Sequence, residues 1–115
     1  MIDVGGWQGD LARGAHIVKV LALEVEEPGV SPEAFRPHLK EEAKAVWELY
    51  LAGIVREAYF RTDRHTAVLV LECPDVDHAH EVLVSLPLVR HKLIHFEVVP
   101  LAPYSGFERL FASGA

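Results

Sequence analysis

The order in which strand-like and helix-like segments follow one another constrains the fold of this chain most strongly. The predicted strands span residues 16–25, 54–61, 66–73 and 91–101, and the predicted helices span residues 31–52 and 75–86. A polar turn, residues 62–65, joins the second and third strands as a hairpin. The resulting order, β-α-β-β-α-β, is compatible with very few small architectures.

The two helices carry recognisable start and stop signals. Ser31 is suited to cap the first helix, Pro32 to occupy its first position, and Gly53 to end it. Pro37 lies in the opening turns, so we expect the helix to be distorted there. Pro87 is expected to stop the second helix.

Hydrophobic patterning predicts how the strands are arranged. Residues 16–25 and 66–73 are apolar on both faces, which is typical of central strands. The last strand alternates: Ile94, Phe96 and Val98 should pack under the helices. The other set, expected on an open face, is Leu93, His95, Glu97 and Val99. We therefore predict an α+β, ferredoxin-like sandwich that leaves one sheet face uncovered.

Length and composition limit the remaining possibilities. The 115 residues suit one domain, predicted at residues 16–103, with a flexible leader at 1–15 and a C-terminal tail at 104–115. The tail carries four large apolar side chains that we expect to dock on a neighbouring subunit: Tyr104, Phe107, Leu110 and Phe111.

Charge and cysteine content address partners and location. The formal net charge of −6 argues against a nucleic-acid surface. No apolar run reaches the roughly 18 residues that cross a bilayer, and residues 1–7 lack the plan of a signal peptide. Cys73 is the only cysteine, so we expect a cytoplasmic protein without an internal disulfide.

Four local features accompany the element order: the Ala52–Gly53 helix end, the Leu-Pro-Leu turn at 86–88, the acidic, valine-rich strand at 94–101, and Lys19 within the first strand. Together with that order, they resemble the muconolactone isomerase family. The resemblance covers roughly residues 17–104. It implies a dimeric α+β barrel, a homodimer or higher homo-oligomer, and a cofactor-free isomerase of aromatic catabolism.

The resemblance also implies roles for individual residues. Arg56 matches the family's arginine and would hold a substrate carboxylate, and Tyr59 or Phe60 matches its aromatic residue. The Pro-Tyr-Met segment that follows Leu-Pro-Leu in the isomerases is replaced here by Val-Arg-His-Lys, residues 89–92.

The residues themselves indicate two places for proton-transfer chemistry. His38 and Glu42 are four apart, and Glu42 interrupts an apolar helix stripe, which suits an acid–base pair at a pocket edge. The alternative is a solvated helix pair. His95, with Glu97 and Tyr59, can line a cavity on the open sheet face, or these groups can satisfy one another across a dimer interface.

We expect neither a metal nor a cofactor. His78 and His80 diverge by about 200° on a helix, and His91 and His95 would lie roughly 13 Å apart along a strand. The sequence thus predicts a small isomerase or cyclase that acts by proton transfer on a lactone or enolisable ring. His38, Glu42 and His95 are the candidate catalytic residues. A cofactor-free monooxygenase and a non-enzymatic binding or assembly module are the alternatives.

Overall fold

The computed structural model describes residues 17–112, and the predicted leader lies outside these residues. The strands are β1 (Val18–Glu26), β2 (Val55–Phe60), β3 (Ala67–Cys73) and β4 (Ile94–Leu101). The α-helices are α1 (Pro32–Phe35), α2 (Leu39–Leu51), α3 (Val76–Val84) and α4 (Pro87–Arg90). Two 3₁₀ segments span Arg36–His38 and Ser105–Leu110. The protein is a small α+β protein.

The four strands form one antiparallel sheet in the order β2-β3-β1-β4. The prediction that β1 and β3 are central is confirmed. Ala22 lies between Leu69 on one side and Val98 on the other. Pro100 lies on β4, an edge strand, where a residue without a backbone N–H is tolerated.

The first predicted helix is interrupted where Pro37 stands. Instead of one helix over 31–52, α1 is followed by the 3₁₀ segment and then by α2. Pro37 cannot donate the helical hydrogen bond, and its ring clashes with the carbonyl four residues earlier, so the expected distortion occurs. At the other end, Gly53 adopts a positive φ of 80° and ends the helix as predicted.

The second helix is followed by a short helix that the sequence analysis missed. Proline is favoured in the first turn of a helix, and Pro87 begins α4. Lys92 then takes a positive φ of 62°, and β4 begins only at Ile94. The prediction that Leu93 belongs to the open face is therefore wrong, because it precedes the strand and is only 9% exposed.

The hydrophobic core lies between the helices and one face of the sheet. Its fully or nearly fully buried members are Val20, Ala22, Val55, Leu69, Leu71, Cys73, Ala79, Leu83 and Leu86. The predicted inward set of β4 is confirmed, since Ile94 is buried and both Phe96 and Val98 pack against the core. Burial raises the pKa of the Cys73 thiol to about 11, so this cysteine is a packing residue.

The opposite face of the sheet, here called the open face, carries a patch of apolar side chains that are half-buried or exposed. Its strand residues are Leu21, Leu23, Val25, Val68, Val70, Val99 and Leu101. The four large side chains of the C-terminal tail are also exposed, by 65% to 84%. Within residues 17–112, no helix is long and apolar enough to cross a membrane.

Candidate functional site

A cavity of about 950 Å³ lies on the helix-facing side of the sheet, open to solvent along one flank. Its walls come from α1 and α2 on one side and from β1, β2 and β3 on the other. The lining consists of Glu24, Glu26, Val30, Pro32, Phe35, Leu39, Glu42, Ala43, Val46, Trp47, Tyr50, Ala58, Tyr59, Phe60, His65, Ala67, Leu69, Leu88 and Phe96. The amphipathic period of α2 explains why its apolar stripe lines this cavity.

Glu42 enters the cavity from α2. One carboxylate oxygen, Oε1, accepts a hydrogen bond of 2.9 Å from the backbone N–H of Leu88. Burial raises the pKa of Glu42 above its ordinary value of 4.5, and Glu24 raises it further, while the Leu88 N–H and Arg90 act in the opposite direction. Glu42 thus presents a half-buried carboxylate to the cavity, with one oxygen held by the backbone.

Glu24 enters the cavity from β1, on the same side of the sheet as the buried Val20 and Ala22. Its Oε1 accepts a hydrogen bond of 2.9 Å from the backbone N–H of Ala67. Burial also raises the pKa of Glu24, and Glu26 adds to the effect. Sequence analysis missed this residue. The available signal was a carboxylate at an inward-facing position of an otherwise apolar strand.

Aromatic rings form much of the rim. Trp47 and Tyr50 stack with ring centroids 5.5 Å apart, and Phe60 stacks on His65 at 4.1 Å. Trp47 and Phe60 remain more than half exposed. The rim therefore offers flat apolar surfaces to a ring-shaped ligand.

The structure brings only two of the predicted site residues to the cavity, Glu42 and Tyr59. The Tyr59 hydroxyl donates a hydrogen bond of 2.7 Å to Glu57 Oε1, which raises the pKa of Tyr59. Tyr59 pairs with Val68, an open-face residue, so its ring reaches the cavity at the sheet edge.

His38 lies outside the cavity. It ends the 3₁₀ segment before α2, and its ring stacks on that of His91 with centroids 3.9 Å apart. Its Nδ1 is buried without a hydrogen-bond partner among residues 17–112. Because the helix is interrupted at Pro37, His38 and Glu42 do not belong to one continuous α-helix.

The other three predicted site residues lie across the sheet from Glu42. His95 and Glu97 are exposed on the open face of β4, and His95 Nδ1 is 2.9 Å from Glu27 Oε2. Arg56 is exposed and lies 3.8 Å from Glu72, which also pairs with Lys19. The sheet itself therefore separates this group from the cavity.

Comparison of the sequence with models of known protein families and with curated proteins finds no match. Among the residues that the structure describes, no three His, Cys, Asp or Glu side chains come together as a metal site requires. The geometry of the cavity is therefore the basis for a functional proposal.

Glu24→Gln should reduce the pH dependence of stability. Because the pKa of Glu24 is raised, the folded chain holds the proton of this carboxyl more tightly than the unfolded chain does. The stabilisation that this proton gives is greatest below pH 4.5 and is lost as pH rises through the pKa of the folded state. Urea denaturation between pH 4 and pH 7 should show a smaller decline for Glu24→Gln than for the original chain.

The matched control is Glu81→Gln, because Glu81 is exposed on α3. The free energy of unfolding of Glu81→Gln should decline with pH as it does for the original chain, because both retain Glu24 and the substituted side chain is exposed. An equal or steeper decline in Glu24→Gln would contradict the argument that burial of this carboxylate is costly.

Proposed function

We propose that the protein is a small, cofactor-independent isomerase or cyclase that moves a proton on a lactone or other enolisable ring held in the helix-side cavity. The observation that carries the proposal is the Glu42 carboxylate within an apolar cavity, with only one of its oxygens hydrogen-bonded by the protein among residues 17–112. Burial, which raises the pKa of Glu42, makes its carboxylate a stronger base than a solvated one, and this suits a group that accepts and returns a proton.

In the proposed reaction, ionised Glu42 removes a proton from the carbon next to a carbonyl group. The electron pair of the broken C–H bond forms the double bond of an enolate. Where a C=C bond is conjugated with the enolate, Glu42 returns the proton to the far carbon of that system, the C=O bond re-forms, and the double bond has shifted. In a cyclisation, the enolate carbon instead attacks a second carbonyl carbon of the ligand, the electrons of that C=O π bond move to its oxygen, and this oxygen takes the proton back from Glu42. Glu24 supplies a second polar contact that orients the ring, and Tyr59 contacts it at the rim.

We also infer that the domain is a ferredoxin-like sandwich. Two observations support this inference: the β-α-β-β-α-β order of its main elements and the strand order β2-β3-β1-β4. The resemblance to muconolactone isomerases rests on the same order together with the Leu-Pro-Leu turn that begins α4.

A second copy of the chain is the proposed partner of the open face. The face combines an apolar centre with charges at its ends. At one end, Lys19 and Arg56 flank Glu72. Glu27 and Glu97 lie near the other end. A two-fold arrangement that reverses strand direction brings the basic end of each copy over the acidic end of its partner. His95 and Glu97 then belong to the interface, and the two sheets form a dimeric barrel.

The C-terminal tail supports association as well. Tyr104 and Phe107 pack edge to face with ring centroids 4.9 Å apart, and these rings and Phe111 leave most of their surface exposed. Such exposed apolar area is characteristic of a docking segment. We propose that residues 104–112 contact a neighbouring subunit.

Solvent exchange tests the proposed reaction. A neutral bicyclic ketone such as 2-tetralone should incorporate deuterium next to its carbonyl faster with the protein than in buffer, by about 10²- to 10⁴-fold, the contribution of a positioned general base. Proton NMR in deuterium oxide follows the exchange. A rate equal to that with unfolded protein at the same concentration would contradict the proposal.

A further inference from the structure

Among residues 17–112, the charged side chains that line the helix-side cavity are acidic, apart from one histidine. They include three carboxylates, from Glu24, Glu26 and Glu42, and neither a lysine nor an arginine. His65, which stacks on Phe60, is the one lining residue of this described range that can carry a positive charge. The cavity therefore repels an anionic ligand and attracts a cationic one.

Nearby arginines are bound elsewhere. The charge of Arg90 lowers the pKa of Glu42. Arg90 does not line the cavity, however, and its Nε donates a hydrogen bond of 3.0 Å to the carbonyl oxygen of Ser85. Arg61 is held by Asp63, with contacts of 2.9 Å and 2.6 Å. Within the described part of the chain, no lysine or arginine side chain therefore lines the cavity beside Glu24 or Glu42.

We infer that the ligand of this cavity is an apolar ring system that carries a protonated amine, with the ammonium group at Glu24 and the rings against the aromatic rim. The inference rests on the proposed function in taking the same cavity as the ligand site, and it names the charge class of the substrate. It leaves Glu42 as the group that moves the proton.

The surroundings of Glu24 suit an ammonium group. Only one oxygen of its carboxylate is hydrogen-bonded by residues 17–112, through the N–H of Ala67. Ala67 pairs with Phe60, so an aromatic ring lies on the neighbouring strand. A cation near an aromatic face and a carboxylate gains from both, and the gain is larger where water is excluded. A ligand cation would also compensate the half-buried Glu24 carboxylate, near which the described residues place His65 but no lysine or arginine in the lining.

Three probes of matched shape and different charge test the inference. They are 2-naphthylmethylammonium, 2-naphthylmethanol and 2-naphthoate, compared by isothermal titration calorimetry at pH 7 and low salt. We expect the ammonium to bind at least about tenfold more tightly than the alcohol, and the carboxylate to bind most weakly. Glu24→Gln should weaken the ammonium about tenfold and leave the alcohol within about twofold. Glu81→Gln, on the exposed surface of α3, should change neither.

Four outcomes would overturn the inference. The three probes could bind equally, the carboxylate could bind most tightly, or none could bind. Glu24→Gln could also weaken every probe by the same factor. The tetralone assay uses an uncharged substrate, so its result is independent of this preference. If charge preference is absent but Glu42-dependent exchange persists, only the present inference fails. If the preference holds and exchange is absent, the ligand class stands and the proposed reaction fails.

Discussion

Glu42→Gln is expected to lower the rate of deuterium exchange into 2-tetralone by about 10²- to 10⁴-fold, which is the usual contribution of general base catalysis. Glutamine has the same shape and retains a carbonyl oxygen that can accept the 2.9 Å hydrogen bond from Leu88 N–H. It lacks the carboxylate that takes the proton. Binding of a neutral ring should therefore change little while exchange is lost.

The control is Glu48→Gln on the same helix. Glu48 is exposed and lies outside the cavity lining, so the substitution removes the same charge from α2 without touching the ligand. Exchange with Glu48→Gln should match that of the original chain. If Glu42→Gln, with an unchanged melting temperature, exchanges tetralone as fast as the original chain, Glu42 is not the base.

Val99→Asp is expected to convert the proposed dimer into a monomer. Val99 lies on edge strand β4, opposite Leu21, and is 40% exposed, so the isolated fold tolerates an aspartate there. In the proposed dimer, the new carboxylate is buried against the partner's sheet, and symmetry places two such charges in one interface. Burying a charge without a partner costs several kcal/mol, which is enough to weaken association more than 10²-fold.

Sedimentation equilibrium measures this effect directly, since one chain weighs 12.8 kDa. The original chain should sediment with twice that mass or a higher multiple at micromolar concentration, and Val99→Asp with the mass of one chain. The control is Val84→Asp, because Val84 is 57% exposed on α3, away from the open face. A monomeric original chain, or equal association of Val99→Asp, would contradict the proposed role of the open face.

Much of the fold followed from local sequence signals. Pro37 and Gly53 act on their own backbone, so the distortion and the end of the first helix were predictable. Apolar residues on both faces identified the central strands. The alternation of β4 separated Phe96 and Val98 from His95 and Glu97 correctly.

Other features depend on pairing between distant segments. The irregular register between Val55 and Glu57 turns Val55 into the core, where it is 1% exposed, and alternation alone does not reveal such a bulge. The position of Leu93 depends on the short helix α4 and on the positive φ of Lys92. Leu93 was misjudged because the last strand was assumed to run without interruption from residue 91.

The candidate site also contains one residue that a local sequence signal identified and others whose placement depends on contacts between distant segments. Glu42 was recognisable because a carboxylate interrupts a helical stripe, a pattern visible within one element. Glu24 also interrupts an apolar segment, but its relation to Glu42 exists only once β1 and α2 pack together. His95 and Glu97 appeared to join a cavity, but the sheet separates them from Glu42.

The sequence by itself determined the succession of strands and helices, the points where they break, and which strands lie at the centre, because these depend on backbone conformation and on period within one segment. Only the tertiary structure decided which side of the sheet holds the cavity and which carboxylates share it. That outcome depends on how a helix packs over a sheet and how much water it excludes, and neither quantity is encoded in any single segment.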